Sequence, residues 1–332
     1  MQTVASEFEL IKVGTPTHFG GLTIFPLFRN CSTSAQPGYM LLEEAVMRGA
    51  ARVTELGEGG SVPELHFENL GEDPVLLLDG EELVGAKQNR VLNLTILAPA
   101  RQKITIPVSC VEAGRWHAES DAFQAPEKVM YSRARAAKAA QVSFDMAAND
   151  SRNSDQSAIW NEIAMKAVRL SAPSPTQAMD AIYGSRGNTL DTYMGAFSWA
   201  EGQSGVAFAM DPGAMGLDLM DHPHTLRAMF PKLVRSYALD ALEAPNSPAA
   251  TPNQMADFLT RVGKAECLVR PAVGIGEDVR LTGDGISGAA LWAGHHVHLC
   301  AFSVNGSDLS RKFSTRITRP TGRRPRRRPG QV

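Results

Sequence analysis

Cysteine is scarce in this chain: Cys31, Cys110, Cys267 and Cys300 are the four in 332 residues, and no two form a CxxC pair. Their wide spacing excludes a disulfide framework or a structural zinc finger and makes reduced thiols, as in a cytosol, the expectation. No uninterrupted apolar stretch approaches the roughly 18 residues that a membrane helix needs. The opening Met1–Phe8 lacks a basic segment followed by an apolar run, so no secretory leader is expected either. Several catalytic signatures are also missing. There is no GxSxG elbow and no HExxH. Gly274-Ile275-Gly276-Glu277-Asp278 has neither the third glycine and following helix of a dinucleotide fingerprint nor the GK[ST] ending of a phosphate loop. That segment reads as a turn between strands. No repeat of solenoid length is visible.

What is present is a globular composition, 43% hydrophobic and 20% charged. The net charge of -2 conceals an asymmetry. Residues 311–332 hold nine Lys or Arg and no acid, which leaves the first 310 with 24 basic and 35 acidic groups, a net of -11. An acidic body argues against a dedicated nucleic-acid surface. The tail, with Arg323, Arg324, Arg326, Arg327 and Arg328 between prolines, reads as a disordered extension, although its charge also suits contact with nucleic acid or acidic lipid. One domain over residues 1–310 and a separate tail are therefore expected.

Hydrophobic periodicity divides the body into strands at about 10–112, helices at about 126–262 and strands again at about 265–303. Leu22–Leu27, Leu65–Asn69 and Val75–Leu78 are bounded by Gly, Pro or Asp. Leu92, Leu94 and Ile96 alternate with polar or smaller residues, and Ile104, Ile106, Val108 and Cys110 do the same after Pro99–Gln102. This predicts an antiparallel hairpin of Val91–Leu97 with Lys103–Val111. Glu127–Asn149, Ser157–Leu170 and about His224–Leu242 read as helices. Thr176 is placed to cap a short helix running towards Tyr183, and Thr251-Pro252 to open another. Strands are expected at Val206–Met210, Glu266–Val269, Val279–Leu281, Ala289–Trp292 and Val297–Phe302. The order lacks strict βαβ alternation, so the fold class is α+β, with N-terminal and C-terminal strands sharing an antiparallel sheet or barrel-like core around a helical middle.

Three clusters carry candidate chemistry. Asp79–Arg90 packs Glu81, Glu82, Lys87, Gln88, Asn89 and Arg90 beside strong strands. It offers acid/base groups and fixed donors for an oxyanion or phosphate, or it is a solvated loop with ordinary ion pairs. Ser109–His117 follows the second strand. Cys110 shares the apolar parity of its strand and reads as a core thiol rather than a nucleophile. Glu112 has the same parity and, if inward, needs a partner, for which Arg115 is nearest. Trp116 suits stacking on a base or simple burial. In the third cluster, His296, His298 and Cys300 fall on one side of a strand. They form a weak metal candidate against the plainer reading of a hairpin end with a buried thiol.

On these strings the chain resembles the ARG and Rhodanese-Phosphatase-superfamily-associated Protein domain family, where ARG stands for ADP-ribosylglycohydrolase. The resemblance is carried by Leu78-Asp-Gly-Glu-Glu-Leu-Val-Gly-Ala-Lys-Gln-Asn-Arg90, Ile106-Pro-Val-Ser-Cys-Val-Glu112, Gly114-Arg-Trp116, Gln156 with Trp160, Gly205–Phe208, and Gly276–Arg280 through His298–Phe302. These run in order from about residue 10 to 303. The resemblance implies an association with proteins that process NAD-derived ADP-ribose, and it brings no reaction or cofactor with it. Two readings follow. In one, the chain is an enzyme, with hydrolysis the expected reaction, acting on an ADP-ribose-like phosphorylated nucleotide in the cytoplasm. Glu81, Glu82 or Glu112 would be general acid or base, Lys87, Gln88, Asn89, Arg90 and Arg115 would hold the ligand, and Trp116 would stack. In the other, it is a non-catalytic module that senses such a nucleotide or regulates a partner. His296 lies outside the family's pattern.

Overall fold

Strand Leu22–Arg29 buries residues on both of its sides, and that sets the layering of the molecule. The computed structural model describes residues 8, 10–29, 36–57, 62–210 and 213–304; the basic tail lies outside them. Leu22 and Ile24 join one apolar cluster and Phe25 and Leu27 another. Val206 and Phe208 alternate with Ala207 and Ala209 in the same way, as Cys300 and Phe302 do with Leu299 and Ala301. The sheet is therefore covered on both faces. Helix Pro223–Ala241 lays Leu226, Phe230, Leu233 and Tyr237 on one, and helix Pro252–Gly263 lays Met255, Phe258 and Val262 on the other.

This is an antiparallel sheet of nine strands. Along it, in spatial order, lie Ile11–Val13, Leu22–Arg29, Gln203–Ala209, Met215–Met220, His296–Ser303, Ile286–Trp292, Glu277–Gly283 and Glu266–Pro271, with Thr17–Phe19 hairpinned onto the second. N-terminal and C-terminal strands thus share one sheet, joined through the hairpin Gln203–Met220. The architecture is α+β with a large antiparallel, barrel-like core.

A second sheet, of six strands, carries the candidate loop. Its order is Phe123–Gln124, Glu82–Gly85, Arg90–Leu92, Lys103–Cys110, Glu64–Asn69 and Ala51–Glu55. The expected hairpin forms over half its length: Leu92 pairs with Val108, Val91 with Ser109 and Arg90 with Cys110. Beyond Leu92 the strands part. Pro107 has no N–H to extend the ladder, and Ile96–Ala98 turns to pair with Val75–Leu77 in a separate three-stranded sheet. The first half of Lys103–Cys110 pairs instead with Glu64–Asn69. Leu92, Leu94, Ile96, Ile106 and Val108 are buried as expected, while Ile104 is only half-buried.

Two helix starts also shift. The first long helix begins at Ser132 rather than Glu127. The preceding backbone is engaged by the candidate loop, with Met130 N donating to Gly80 O at 2.8 Å and Val129 bridging Glu81. The short helix opens at Met179, because Thr176 gives its carbonyl to the Gly114 amide at 2.8 Å. Thr251 does cap its helix, in a reciprocal box with Gln254.

Candidate functional site

The Glu81–Arg90 loop and the Glu112–Trp116 segment meet where Arg90 enters one strand and Cys110 leaves its neighbour. Gln88 Nε2 donates to Glu112 O at 2.8 Å, and Asn89 N donates to Glu112 Oε2 at 3.1 Å. Arg115 locks the junction. Its Nε and Nη2 reach Glu112 Oε2 at 2.9 and 2.7 Å, Nη2 also donates to Asn89 Oδ1 at 3.0 Å, and Nη1 donates to Ala86 O at 2.7 Å. Burial alone would raise the Glu112 pKa. Hydrogen bonds from Arg115, Thr176 and the Asn89 amide outweigh it and hold the carboxyl below the ordinary range. Glu112 is thus an ionised anchor, and Arg115 is the partner its inward position requires.

Arg90 is different. It is fully buried, and only its Nη1 is hydrogen-bonded, to Gln88 Oε1 at 2.9 Å and Gln88 O at 3.4 Å. Nε and Nη2, the side-on edge that binds carboxylate or phosphate through two parallel bonds, have no hydrogen-bond partner among the described residues; Nη2 has only a long ion pair, 3.9 Å, with Glu55 Oε1. Trp116 is 49% exposed and covers this arginine: Arg90 Cζ and Lys87 Nζ each lie 5.7 Å from its ring centre.

The three acids separate. Glu82 pairs with Val91 and Leu83 with Arg90, so Glu82 faces the opposite side of the ribbon from Arg90. Val91 accordingly belongs to the helix-side core, and Leu83 and Leu92 to the core within the six-stranded sheet. Glu82 is fully buried, and neither carboxylate oxygen has a hydrogen-bond partner among the described residues. Burial first, then Asp180 and Glu112, against Lys128, push its pKa up to about 8. Glu81 lies in the turn before it. Its Oε2 accepts from the Leu78 amide at 2.8 Å and its Oε1 from Lys232 Nζ at 3.0 Å. Lys232 also binds Glu43 at 3.0 Å and lines a cleft of about 680 Å³ between residues 36–48 and 224–232.

Behind the loop lies a buried charge network that sequence reasoning missed. Arg135 holds Asp218 with two bonds, at 2.8 and 3.1 Å, and Asp79 at 3.3 Å. Lys138 donates to Asp79 and to the Leu92 and Asn93 carbonyls, and Tyr237 donates to Asp218. His298 takes part through Nε2 to Asp218 Oδ1 at 3.1 Å and Nδ1 to Thr95 Oγ1 at 2.8 Å. Burial would raise the Asp79 pKa, but Lys138 and then Arg135 lower it. With the buried Asp278–Arg280 pair at 2.7 Å, three acids meet three bases. Arg135 and Lys138 stand three apart on an Ala-rich helix, in line with Ala139, Val142 and Met146. Two cations inside an apolar stripe were the signal available.

Among the described residues, Asp218, His298 and Cys300 bring ligand-type atoms within 4.8 Å of one another. His296 stands apart from them on Arg29, at 2.6 Å, beyond a register slip between Leu291 and Trp292. A cation at the trio would have to displace Arg135 from Asp218. The Cys300 thiol, raised to about 12 by burial and then by Asp79, resists becoming a thiolate ligand. Cys110 is also a buried core thiol, pushed up to about 11 by burial.

No curated protein and no solved structure matches the chain. One family model does, over residues 10–302: that of the ARG and Rhodanese-Phosphatase-superfamily-associated Protein domain.

Proposed function

The chain belongs to the ARG and Rhodanese-Phosphatase-superfamily-associated Protein domain family, and on that premise we propose that it binds a phosphorylated nucleotide of the ADP-ribose class at Arg90. The carrying observation is the open side-on edge of a fully buried guanidinium. Leaving buried donors unpaired costs about 1–3 kcal/mol each, and a phosphate oxygen pair would satisfy both. A ligand reaches this edge by displacing the half-exposed Trp116 ring, which then stacks on the base, while Lys87 adds a second positive charge beside it. Gln88 and Asn89 act by holding Arg90 and Arg115 in place. A cytoplasmic setting belongs to the same reading. It is supported by the free thiols of Cys110, Cys267 and Cys300, and no helix among the described residues is long and apolar enough to cross a membrane.

A second reading, hydrolytic turnover, is favoured by Glu82 alone. An unpartnered carboxyl with a pKa near 8 is protonated at neutral pH and suited to act as a general acid. Because it faces the opposite side of the ribbon from Arg90, turnover needs the reacting bond of the ligand to be carried to the Glu82 side, whereas a nucleotide sensor needs binding at Arg90 alone.

Thermal shift and calorimetric titration with ADP-ribose, NAD, ADP and inorganic phosphate test the proposal. A ligand at 100 times its Kd should stabilise the protein by about 2.7 kcal/mol. Arg90→Met should abolish the effect, and Trp116→Ala, at an exposed position, should weaken it without loss of fold. Absence of any shift, or a shift indifferent to both substitutions, refutes nucleotide binding at this site. Product formation from ADP-ribose that is lost in Glu82→Gln with unchanged affinity would establish the second reading.

A further inference from the structure

Arg90 faces the Glu55 carboxylate as a long ion pair without a hydrogen bond between them. Glu55 ends the strand Ala51–Glu55 and pairs with Leu65, which pairs with Ile106. Ile106, Val108 and Cys110 share one side of their strand, and Cys110 pairs with Arg90. Glu55 and Arg90 therefore occupy the same face of the six-stranded sheet. Glu55 Oε1 lies 3.9 Å from Arg90 Nη2, beyond hydrogen-bond length, and takes a long 3.4 Å bond from the Lys87 amide. Its Oε2 is buried and has no hydrogen-bond partner among the described residues. An acceptor oxygen without a donor thus stands beside a donor edge without an acceptor, the two groups held only by a long ion pair.

A phosphate alone completes only half of this arrangement. It satisfies Nε and Nη2 of Arg90, but like charge keeps it from the Glu55 carboxylate. What Oε2 needs is a donor held close to that phosphate, and a sugar hydroxyl a few bonds away in the same ligand supplies one. The Cys110 thiol on this face is a weak donor and leaves the carboxylate to accept from a ligand.

We propose that Glu55 reads the ribose of the bound nucleotide: its Oε2 accepts a hydrogen bond from a ribose hydroxyl while Arg90 holds the phosphate, so that the site selects ribonucleotides over deoxyribonucleotides. This rests on the nucleotide reading given above and adds the sugar to it. Glu55 also keeps Arg90 from being a general anion trap, because its negative charge disfavours any phosphate that lacks a neighbouring donor.

The test is calorimetric titration of the full chain with ADP, 2′-deoxy-ADP and 3′-deoxy-ADP. In the wild-type protein at least one deoxy analogue should bind about ten- to a hundredfold more weakly than ADP, the range for a hydrogen bond to a charged acceptor. In Glu55→Ala the three should bind alike, with the deoxy analogue no weaker than in the wild type. A purely structural role for Glu55 would lower all three affinities together and leave their ratio intact. If Glu55→Ala does not fold, Glu55→Gln keeps the shape and should reduce the preference to under tenfold. Equal affinity for all three ligands in the wild type, or a preference that survives loss of the carboxylate, overturns the role of Glu55 while nucleotide binding stands. Failure of all three to bind overturns nucleotide binding itself.

Discussion

Arg115 closes on Glu112 the same guanidinium edge, Nε and Nη2, that Arg90 leaves without a hydrogen-bond partner. The two arginines lie on adjoining segments and share the Gln88–Asn89 loop. One is therefore a structural clamp, and the other is prepared for a ligand.

Their substitutions should separate accordingly. Arg115→Met leaves Glu112 buried and ionised without its partner, and should cost about 3–5 kcal/mol in urea denaturation. Arg90→Met gives up the two bonds to Gln88 and a long 3.9 Å ion pair with Glu55, and should cost less than Arg115→Met while removing nucleotide binding. Equal losses of stability would contradict this division of roles.

Glu82 predicts a pH dependence of stability. Its folded pKa is raised, from 4.5 to about 8, so between those values the folded state holds a proton that the unfolded chain has released. Stability should therefore fall as pH rises through about 4.5 to 8 and level off above it. Glu82→Gln should flatten that slope and gain stability relative to the wild type at pH 8. Parallel pH profiles for the two proteins would rule out a raised pKa at this position.

The buried network makes a third claim. Asp218→Ala strips Arg135 of its two-bond partner and Tyr237 and His298 of an acceptor. The expected loss is about 3–5 kcal/mol, visible in scanning calorimetry as a fall of several degrees in Tm. A loss below about 1 kcal/mol would mean that the network is wet or rearranges freely.

Gly80 provides a backbone test of the same region. It sits at φ +82° in the turn that precedes Glu81, and a Cβ there would come 3.0 Å from Arg135 Cδ. Gly80→Ala should cost more than about 1 kcal/mol and should disturb Arg135 and Asp79 as well as the turn. Unchanged melting would show that the turn relaxes around the methyl group.

Parts of this were legible in the sequence because they are local. Parity along Lys103–Cys110 and a spacing of three placed Glu112 inward with Arg115 beside it, and Thr251-Pro252 marked a helix start within two residues. Alternation in Leu92, Leu94 and Ile96 showed that a face is covered but not by which strand, so the departure of Ile96–Ala98 to Val75–Leu77 was hidden. Asp218, Arg135 and Tyr237 come from three distant elements, and no short pattern joins them. Likewise, Glu82 and Arg90 read as one polar loop, whereas a single residue of register sends them to opposite faces.

The nine-stranded sheet is covered on both faces, so its two ends are where another backbone could attach. One end is formed by two three-residue strands, Ile11–Val13 and Thr17–Phe19, each too short to template a long partner. The other, Glu266–Pro271, carries Glu266 and Arg270 and finishes on a proline that has no N–H to offer. An incoming strand would meet the exposed charge of Glu266 at one end of this edge and a missing donor at Pro271 at the other. Short strands at one margin and a charge and a proline at the other thus disfavour edge-to-edge growth of the largest β surface.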